Sequence, residues 1–186
     1  MAKNKTEASI IAAFMQLLDQ RPLAKISVRA LAAECGISRN TFYYHFRDIP
    51  DLMERAILDG ADELILAHPG ADEIDECIRS VCEFARANMK AVKNIYKYTD
   101  RIRFEGMVMR MSAHAAETHA AALTEGTGVS AQDREALACF LKRQCFGVCM
   151  DWVINGIDAD ISYYRVAELA ADAVERARKK HEETEK

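Results

Sequence analysis

Glycine and proline are scarce in this chain, which has eight and three of them among its 186 residues. A collagen-like chain, a low-complexity chain or a turn-rich β fold would contain many more of both. No stretch approaches the roughly 18 consecutive apolar residues of a membrane span. The residues from Met1 to Glu7 are not followed by the apolar core of a signal peptide. These absences predict a globular protein of the cytoplasm that makes no contact with a membrane.

Cysteine occurs six times, but its spacing excludes the common thiol motifs. No two cysteines have the Cys-x-x-Cys spacing of zinc fingers and thioredoxins. Because no secretory signal is visible, reduced thiols are favoured over disulfide bridges. We therefore predict no metal and no cofactor. The six residues are Cys35, Cys77, Cys82, Cys139, Cys145 and Cys149.

Positive charge is in deficit overall, with a net charge of −4, but the two ends of the chain differ. Residues 1–50 contain seven Lys and Arg against four Asp and Glu, a net of +3. The other 136 residues have a net of −7. This asymmetry predicts that the N-terminal part alone meets a polyanion. Ordinary fluctuation among so few charges is the alternative explanation.

Apolar residues recur with a helical period nearly throughout, and no alternating strand pattern is present. Ile10, Phe14 and Leu17 form the apolar stripe of a first helix, which Pro22 ends. Serine or aspartate residues suited to N-capping precede three more helices. The predicted fold class is all-α. The helices after the first are predicted at 28–35, 39–46, 49–66, 72–98, 101–124, 131–156 and 162–183.

Residues 27–46 have the pattern of a helix-turn-helix, two short helices joined by a tight turn. Gly36 can adopt the positive φ that such a turn requires, and Phe42 is placed to anchor the second helix on the core. The remaining face of that helix is polar, aromatic and cationic, as a DNA-reading helix needs. A surface helix whose aromatics cover a neighbouring element is the alternative. The outward residues are Arg39, Asn40, Thr41, Tyr43, Tyr44 and His45.

The segment 26–52 resembles the tetracycline-repressor (TetR) family of transcriptional regulators, above all in Thr41-Phe42-Tyr43-Tyr44-His45-Phe46 followed by Asp51-Leu52. The resemblance implies an N-terminal three-helix helix-turn-helix domain at 1–50 and a helical ligand-binding and dimerisation domain at 51–186. A connecting helix of about 49–66 would join them. It implies a homodimer that binds a near-palindromic operator in double-stranded DNA, most often as a repressor, under the control of a small-molecule effector.

The resemblance also implies DNA contacts at individual positions. Three of them usually reach bases or nearby phosphates, namely Arg39, Asn40 and Tyr43. Three others usually contact phosphate, namely Thr41, Tyr44 and His45. Two at the start of the preceding helix often reach the DNA backbone, namely Ser27 and Arg29.

One position departs from the family pattern. Ile49 stands where the family commonly has a lysine that binds a phosphate, and Arg47 or the start of the fourth helix would have to replace it. This departure motivates a different class of function, a small-molecule-binding or interaction protein whose helix-turn-helix no longer binds DNA. The pair Asp48-Ile49 at this position also resembles a subgroup of the family that includes activators. Whether the protein represses or activates transcription is therefore open.

A ligand pocket is predicted in the C-terminal part, where methionines recur on one helical face together with Phe104 and His114. A plain hydrophobic core is the alternative for such a stripe. Cys145 and Cys149, four residues apart, also fit a thiol or metal sensor. The predicted lining comprises Tyr96, Phe104, Met107, Met111, His114, Cys145, Cys149 and Trp152.

A dimer interface is predicted from the apolar faces of the last two helices, where small residues permit close approach. An intramolecular core is the alternative. The sequence has no nucleophile elbow, P-loop or dinucleotide fingerprint, so an enzyme is disfavoured. The predicted interface comprises Cys149, Trp152, Val153, Leu169, Ala170, Ala173, Val174 and Ala177.

Overall fold

The computed structural model describes residues 2–68, 70, 74–156, 176 and 179. Within these residues the chain consists of helices and their connections, which confirms the predicted all-α class. The predicted helix at 162–183 lies almost wholly outside them. The helices are α1 (Ala2–Gln20), α2 (Val28–Glu34), α3 (Arg39–His45), α4 (Ile49–Ala67), α5 (Ile74–Ala87), α6 (Met89–Tyr98), α7 (Arg101–Thr124) and α8 (Ala131–Asn155), with a 3-10 turn at Leu23–Lys25.

Side-chain caps explain where the short helices begin. The Ser27 hydroxyl accepts a hydrogen bond from the Ala30 N–H at 3.2 Å, and the Ser38 hydroxyl accepts one from the Thr41 N–H at 3.0 Å. Each cap satisfies a first-turn N–H that has no partner within the helix. The two predicted serine caps are therefore confirmed.

One predicted helix is wrong. The stretch 72–98 was expected to be continuous, but α5 ends at Ala87 and α6 begins at Met89. Asn88 between them has φ −107° and ψ 11°, outside the helical region. The apolar period continues across the break, and no proline or glycine marks it. Asparagine tolerates such a conformation better than most residues, because its side chain competes with helical hydrogen bonds.

The chain forms two compact units. The first comprises Met1–Gly60 and Asn88–Met107, and the second comprises Ala61–Ala87 and Val108–Lys186. In the first unit α1 packs against α2 and α6, and α2 packs against α3. Packing therefore groups α6 with the N-terminal helices. The predicted division at residue 50, with DNA binding before it and ligand binding and dimerisation after it, stays a prediction.

Each unit has its own buried apolar residues. Phe14, Leu31 and Phe42 are fully buried in the first unit, and Ile65 and Ala120 are almost fully buried in the second. Among the described residues, no helix is both long and apolar enough to cross a membrane.

Candidate nucleic-acid interface

The turn between α2 and α3 has the geometry that the sequence predicts. Gly36 has φ 64°, in the left-handed region that favours glycine. The Ile37 N–H donates to the Ala32 carbonyl at 2.9 Å, which brings α3 back across α2. Leu31 and Phe42 are fully buried beneath the turn. The predicted helix-turn-helix is therefore confirmed as a structure.

The outer face of α3 combines cationic, polar and aromatic side chains. Arg39 and Asn40 are exposed, and the side chains of Tyr43 and Tyr44 are exposed as well. Thr41 is half-buried, with its Oγ1 at 2.9 Å from the Ser38 Oγ. Such a face can donate and accept hydrogen bonds at base edges and phosphates. That these residues contact DNA stays a prediction.

The residues expected to reach the DNA backbone before α3 are also accessible. Ser27 and Arg29 are both exposed, at the cap and in the first turn of α2. The hydroxyl of Ser27 already accepts the capping hydrogen bond from Ala30. Its remaining donor capacity is what a phosphate oxygen would use.

His45 does not point outward, so that expectation is wrong. Its side chain is 3% exposed, and its Nδ1 lies 3.9 Å from the Glu7 Oε2 on α1. The physical reason is helical spacing, because position 45 falls three residues after Phe42 on the same side of α3. Glu7 also lies 3.3 Å from the Arg55 guanidinium, on α4. The imidazole thus belongs to a polar contact between helices rather than to the exposed face.

Arg47, the expected substitute for the family's lysine, is exposed but has a carboxylate partner. The Arg47 guanidinium donates two hydrogen bonds to the Asp51 Oδ1, at 2.9 and 3.3 Å. The backbone N–H of Arg47 donates a third to the Asp51 Oδ2 at 2.8 Å. The guanidinium hydrogen bond holds the pKa of Asp51 below its ordinary value. Arg47 would therefore have to exchange this carboxylate for a phosphate in order to bind DNA.

The start of α4 is capped as predicted. The Asp48 carboxylate accepts a hydrogen bond from the Asp51 N–H at 2.8 Å. Because Asp51 itself accepts from the N–H of Arg47, the two carboxylates satisfy donors on both sides of the helix start. Ile49, at the family's lysine position, is half-buried in the first turn.

Asn94 on α6 is a structural residue that the sequence reasoning missed. Its Nδ2 donates to the carbonyls of Leu18 and Arg21 at 2.7 and 2.8 Å, and its Oδ1 accepts from the Leu23 N–H at 2.8 Å. The amide therefore satisfies backbone groups where α1 ends and the 3-10 turn begins. No local pattern distinguishes Asn94 from a solvent-facing asparagine, because its three partners are more than 70 residues away in sequence.

The eight predicted pocket residues are divided between the two units. Tyr96, Phe104 and Met107 belong to the first, where the rings of Tyr96 and Phe104 meet edge to face at 5.0 Å. Phe104 and Met107 are buried core residues there. The other five belong to the second unit, namely Met111, His114, Cys145, Cys149 and Trp152.

A cavity of about 280 Å³ lies in the first unit, and none of the eight predicted residues lines it. Its wall includes Ile49 and Met53 from α4 and Tyr98, Asp100 and Arg103 around the start of α7. The Thr99 hydroxyl beside it donates to the Met53 sulfur at 3.4 Å.

Several buried polar atoms in the second unit have no hydrogen-bond partner among the described residues. They are the Ser112 Oγ, the His119 Nδ1 and the Trp152 Nε1. Burial lowers the pKa of His119, so its neutral form is favoured. The His114 Nε2 lies 3.6 Å from the Asp62 Oδ1, just beyond hydrogen-bond distance. Buried polar groups without partners are costly unless a ligand or water satisfies them.

Two thiols of the second unit have pKa values that depart from the ordinary value of a cysteine. Hydrogen bonding from Cys149 lowers the pKa of Cys145 to about 7. Burial raises the pKa of Cys77 to about 11. Within the part of the chain that the structure describes, no group of three or more Cys, His, Asp and Glu is arranged to hold a metal ion.

The predicted dimer residues are described only in part. Trp152 and Val153 are already buried within one chain, and Cys149 is half-buried. On α8 the exposed large apolar residues are Phe140 and Ile154 instead. The interface therefore stays a prediction. The predicted residues that lie outside the described ones are Leu169, Ala170, Ala173, Val174 and Ala177.

Comparison of the sequence with known families gives two matches. The family described as "Bacterial regulatory proteins, tetR family" matches residues 10–56. The family described as "Transcriptional regulator C-terminal region" matches residues 72–166, just over half of the chain.

Solved structures share the fold over nearly the whole length. The dihydroxyacetone kinase operon activator DhaS has a TM-score of 0.73 at 16% identity, covering 91% of this chain and 96% of its own. The TetR family repressor AlkX from Dietzia sp. strain DQ12-45-1b has a TM-score of 0.63 at 16% identity, covering 92% and 97%. Salmonella enterica GusR has a TM-score of 0.60 at 17% identity, covering 94% and 96%.

Proposed function

Since the chain belongs to the tetR family of bacterial transcriptional regulators, we propose that α3 reads base edges in a near-palindromic operator on behalf of a homodimer. The family makes the protein a DNA-binding regulator rather than an enzyme. The observation that supports the proposed reading mode is the exposed face of α3, held from below by the buried Phe42 and Phe46. A regulator of this kind acts in the cytoplasm, where its operator lies.

The residues of this face have different roles. Arg39 and Asn40, near the N-terminus of α3, reach base edges in the major groove and supply sequence preference. Tyr44 binds phosphate through its hydroxyl and supplies affinity without sequence preference. The His45 side chain lies behind this face, 3.9 Å from Glu7 on α1, and is not among the proposed DNA contacts.

Two copies of the chain are needed because one recognition helix cannot specify a unique site. A recognition helix of seven residues, the length of α3, reads too few base pairs to find one site in a genome. Two-fold pairing doubles the contacts and requires half-sites roughly 34–36 Å or somewhat more apart. We propose that α8 and the residues after it supply the pairing surface, with Phe140 and Ile154 as exposed apolar contacts.

We also propose that a small molecule bound in the second unit controls operator affinity. The buried and unpartnered Ser112, His119 and Trp152 support this assignment, because a ligand with polar atoms would satisfy them. Repression is the simpler outcome of operator binding. Activation is the alternative, because the structurally similar DhaS is named an activator whereas AlkX is named a repressor. A reporter gene behind the chain's own operator decides the sign.

The experiment that tests the DNA reading is selection from a random double-stranded library, followed by sequencing of the bound molecules. We expect an inverted repeat, and we expect Asn40→Ala to relax preference at one base pair of each half-site by about 1–3 kcal/mol. Arg86→Ala, at an exposed arginine on α5 in the second unit, is the matched control and should select the same repeat. Recovery of no enriched sequence would favour the protein with a degenerate helix-turn-helix.

A further inference from the structure

The first unit contains a second basic segment, far along the sequence from the helix-turn-helix. Residues 88–107 contain five Lys and Arg against two Asp and Glu, a net of +3. Helix α6 of this segment packs against α1 and the 3-10 turn, and its Asn94 donates to carbonyls at the end of α1. Cations of residues 88–107 therefore lie in the same compact unit as the reading helix.

The two carboxylates of this segment already have partners. The Asp100 Oδ1 accepts a hydrogen bond from the backbone N–H of Arg103 at 3.1 Å, and the Glu105 Oε1 lies 2.7 Å from the Arg101 guanidinium. The Arg103 side chain is exposed and forms no ion pair with a carboxylate of the described residues. Its guanidinium is therefore free to bind an anion from outside the chain.

The cavity of about 280 Å³ places Arg103 beside the start of α4. Arg103 and Tyr98 line this cavity together with Ile49 and Pro50. Ile49 and Pro50 are the first two residues of α4, and α3 ends at His45, four residues before Ile49. Arg103 therefore lies at the end of α4 that adjoins the reading helix.

Tyr98 and Lys97 bring a hydroxyl and a second cation to the same place. The Tyr98 side chain is 43% exposed, and the Lys97 Nζ lies 5.3 Å from the centroid of its ring. Guanidinium, ammonium and phenol groups all donate hydrogen bonds to phosphate oxygens. Asp100 also lines the cavity, so one carboxylate faces two cations. The balance of charge favours an anion.

The start of α4 offers a phosphate little positive charge of its own. Ile49 is apolar, and the Arg47 guanidinium donates two hydrogen bonds to Asp51. Asp48 adds a further carboxylate at this helix start. Two carboxylates repel a phosphate, and a cation from a neighbouring element offsets that repulsion. Arg103 is such a cation.

We propose that Arg103, assisted by Tyr98 and Lys97, binds a backbone phosphate of the operator beside the start of α4. The contact adds affinity without sequence preference, because phosphates carry no base identity. This inference rests on the proposed function, since α3 must lie against DNA for the phosphate to be present.

The test measures affinity for a fluorescently labelled duplex that contains the selected inverted repeat, by anisotropy at several salt concentrations. Each phosphate contact contributes about 0.9 to the slope of log affinity against log salt. We expect Arg103→Ala to reduce that slope by about one for each bound protomer. When salt falls fourfold, the ratio of parent to variant affinity should thus grow about 3.5-fold per protomer. A slope equal to that of the parent would overturn the proposal.

Two further variants separate a contact at this position from general positive charge. Lys90→Ala removes an exposed cation of the same segment, about 12 Å from Tyr98 along α6, and should keep the slope of the parent. Arg103→Lys keeps the charge and should restore most of the slope. If Lys90→Ala reduced the slope as much as Arg103→Ala does, the effect would be one of net charge and the proposal would be wrong.

A second experiment locates the phosphate. Duplexes in which a single phosphate is replaced by an uncharged methylphosphonate are bound to the parent and to Arg103→Ala. We expect one position in each half-site at which the parent loses affinity and Arg103→Ala does not, because that phosphate has already lost its partner. Equal losses for the two proteins at every position would show that Arg103 contacts no phosphate. The scan also needs no change in Tyr98 or Lys97.

The failure of this proposal and the failure of the proposed function give different results. If the parent binds the selected repeat with a steep salt dependence, but Arg103→Ala has the same slope and the same methylphosphonate profile, α3 reads the operator without Arg103. Only the present proposal is then overturned. If selection with the parent enriches no sequence, both are overturned.

Discussion

The two units of this protein satisfy their buried polar groups differently. In the first, Asn94 alone makes three hydrogen bonds to backbone groups around the end of α1. The exception there is the His45 Nδ1, which faces Glu7. In the second, the buried Ser112, His119 and Trp152 have polar atoms without a partner among the described residues. The first unit thus satisfies most of its buried polar groups internally, whereas the second is the unit in which we propose that a small molecule binds.

The largest expected effect comes from the core beneath the reading face. Phe42→Ala removes a fully buried ring that contacts Phe46 at a centroid distance of 5.7 Å. Such truncations cost about 3–5 kcal/mol. We expect urea denaturation to show a loss of this size, together with loss of operator binding. Arg39→Ala, one turn away on the exposed face, should weaken operator binding with little change in stability.

Asn94 offers the next test, because it belongs to the well-satisfied unit. Asn94→Ala leaves the Leu18 and Arg21 carbonyls and the Leu23 N–H without their partner, which should cost about 1–3 kcal/mol of unfolding free energy. Asn94→Asp keeps the acceptor for Leu23 but places a carboxylate against two carbonyls, so it should be no better than alanine. An Asp variant as stable as the parent would contradict the donor role of the amide.

Ser112 is the corresponding buried polar residue in the second unit, and its replacement is expected to leave the free energy of unfolding unchanged or to increase it. Ser112→Ala removes a buried hydroxyl that lacks a standard partner, so the protein should be unchanged or more stable by less than about 1 kcal/mol. Thermal unfolding measures the difference. If Ser112→Ala destabilised the protein as much as Asn94→Ala does, the contrast between the two units would be lost.

The smallest effect concerns the pH dependence at the start of α4. The hydrogen bond from Arg47 lowers the pKa of Asp51 in the folded chain. The contribution of Asp51 to the free energy of unfolding is therefore fully present above the pKa of the unfolded chain, and it is lost as the pH falls through the pKa of the folded chain. The ion pair is partly exposed, so Asp51→Asn should cost less than about 1 kcal/mol at pH 7. At a pH below both pKa values the parent and the variant should have the same stability.

The local features of the fold could be read from the sequence, because each depends on neighbours within four residues. The Ser27 and Ser38 caps and the positive φ of Gly36 are of this kind. Long-range features could not be predicted in this way. Asn94 depends on partners more than 70 residues away. The inward side of His45 is a different case, because its spacing of three residues from the buried Phe42 is itself a local signal for that side.

The predicted pocket shows the same limit. Helical spacing correctly places Phe104, Met107 and Met111 along one helix, but it does not say which neighbouring helix covers each position. In the structure Phe104 and Met107 are core residues of the first unit, while Met111 belongs to the second. The break at Asn88 was missed for a related reason, since the apolar period runs through it unchanged.

The central claim is that α3 reads the operator, and its most direct test is operator affinity measured by fluorescence anisotropy across a range of salt concentrations. The account predicts that the affinity of the parent falls steeply as salt rises, because phosphate contacts release counterions. It predicts a loss of roughly tenfold or more for Arg39→Ala at every salt concentration, and parent-like binding for Arg86→Ala. Equal affinities for the parent and Arg39→Ala, or affinity that does not change with salt, would contradict it.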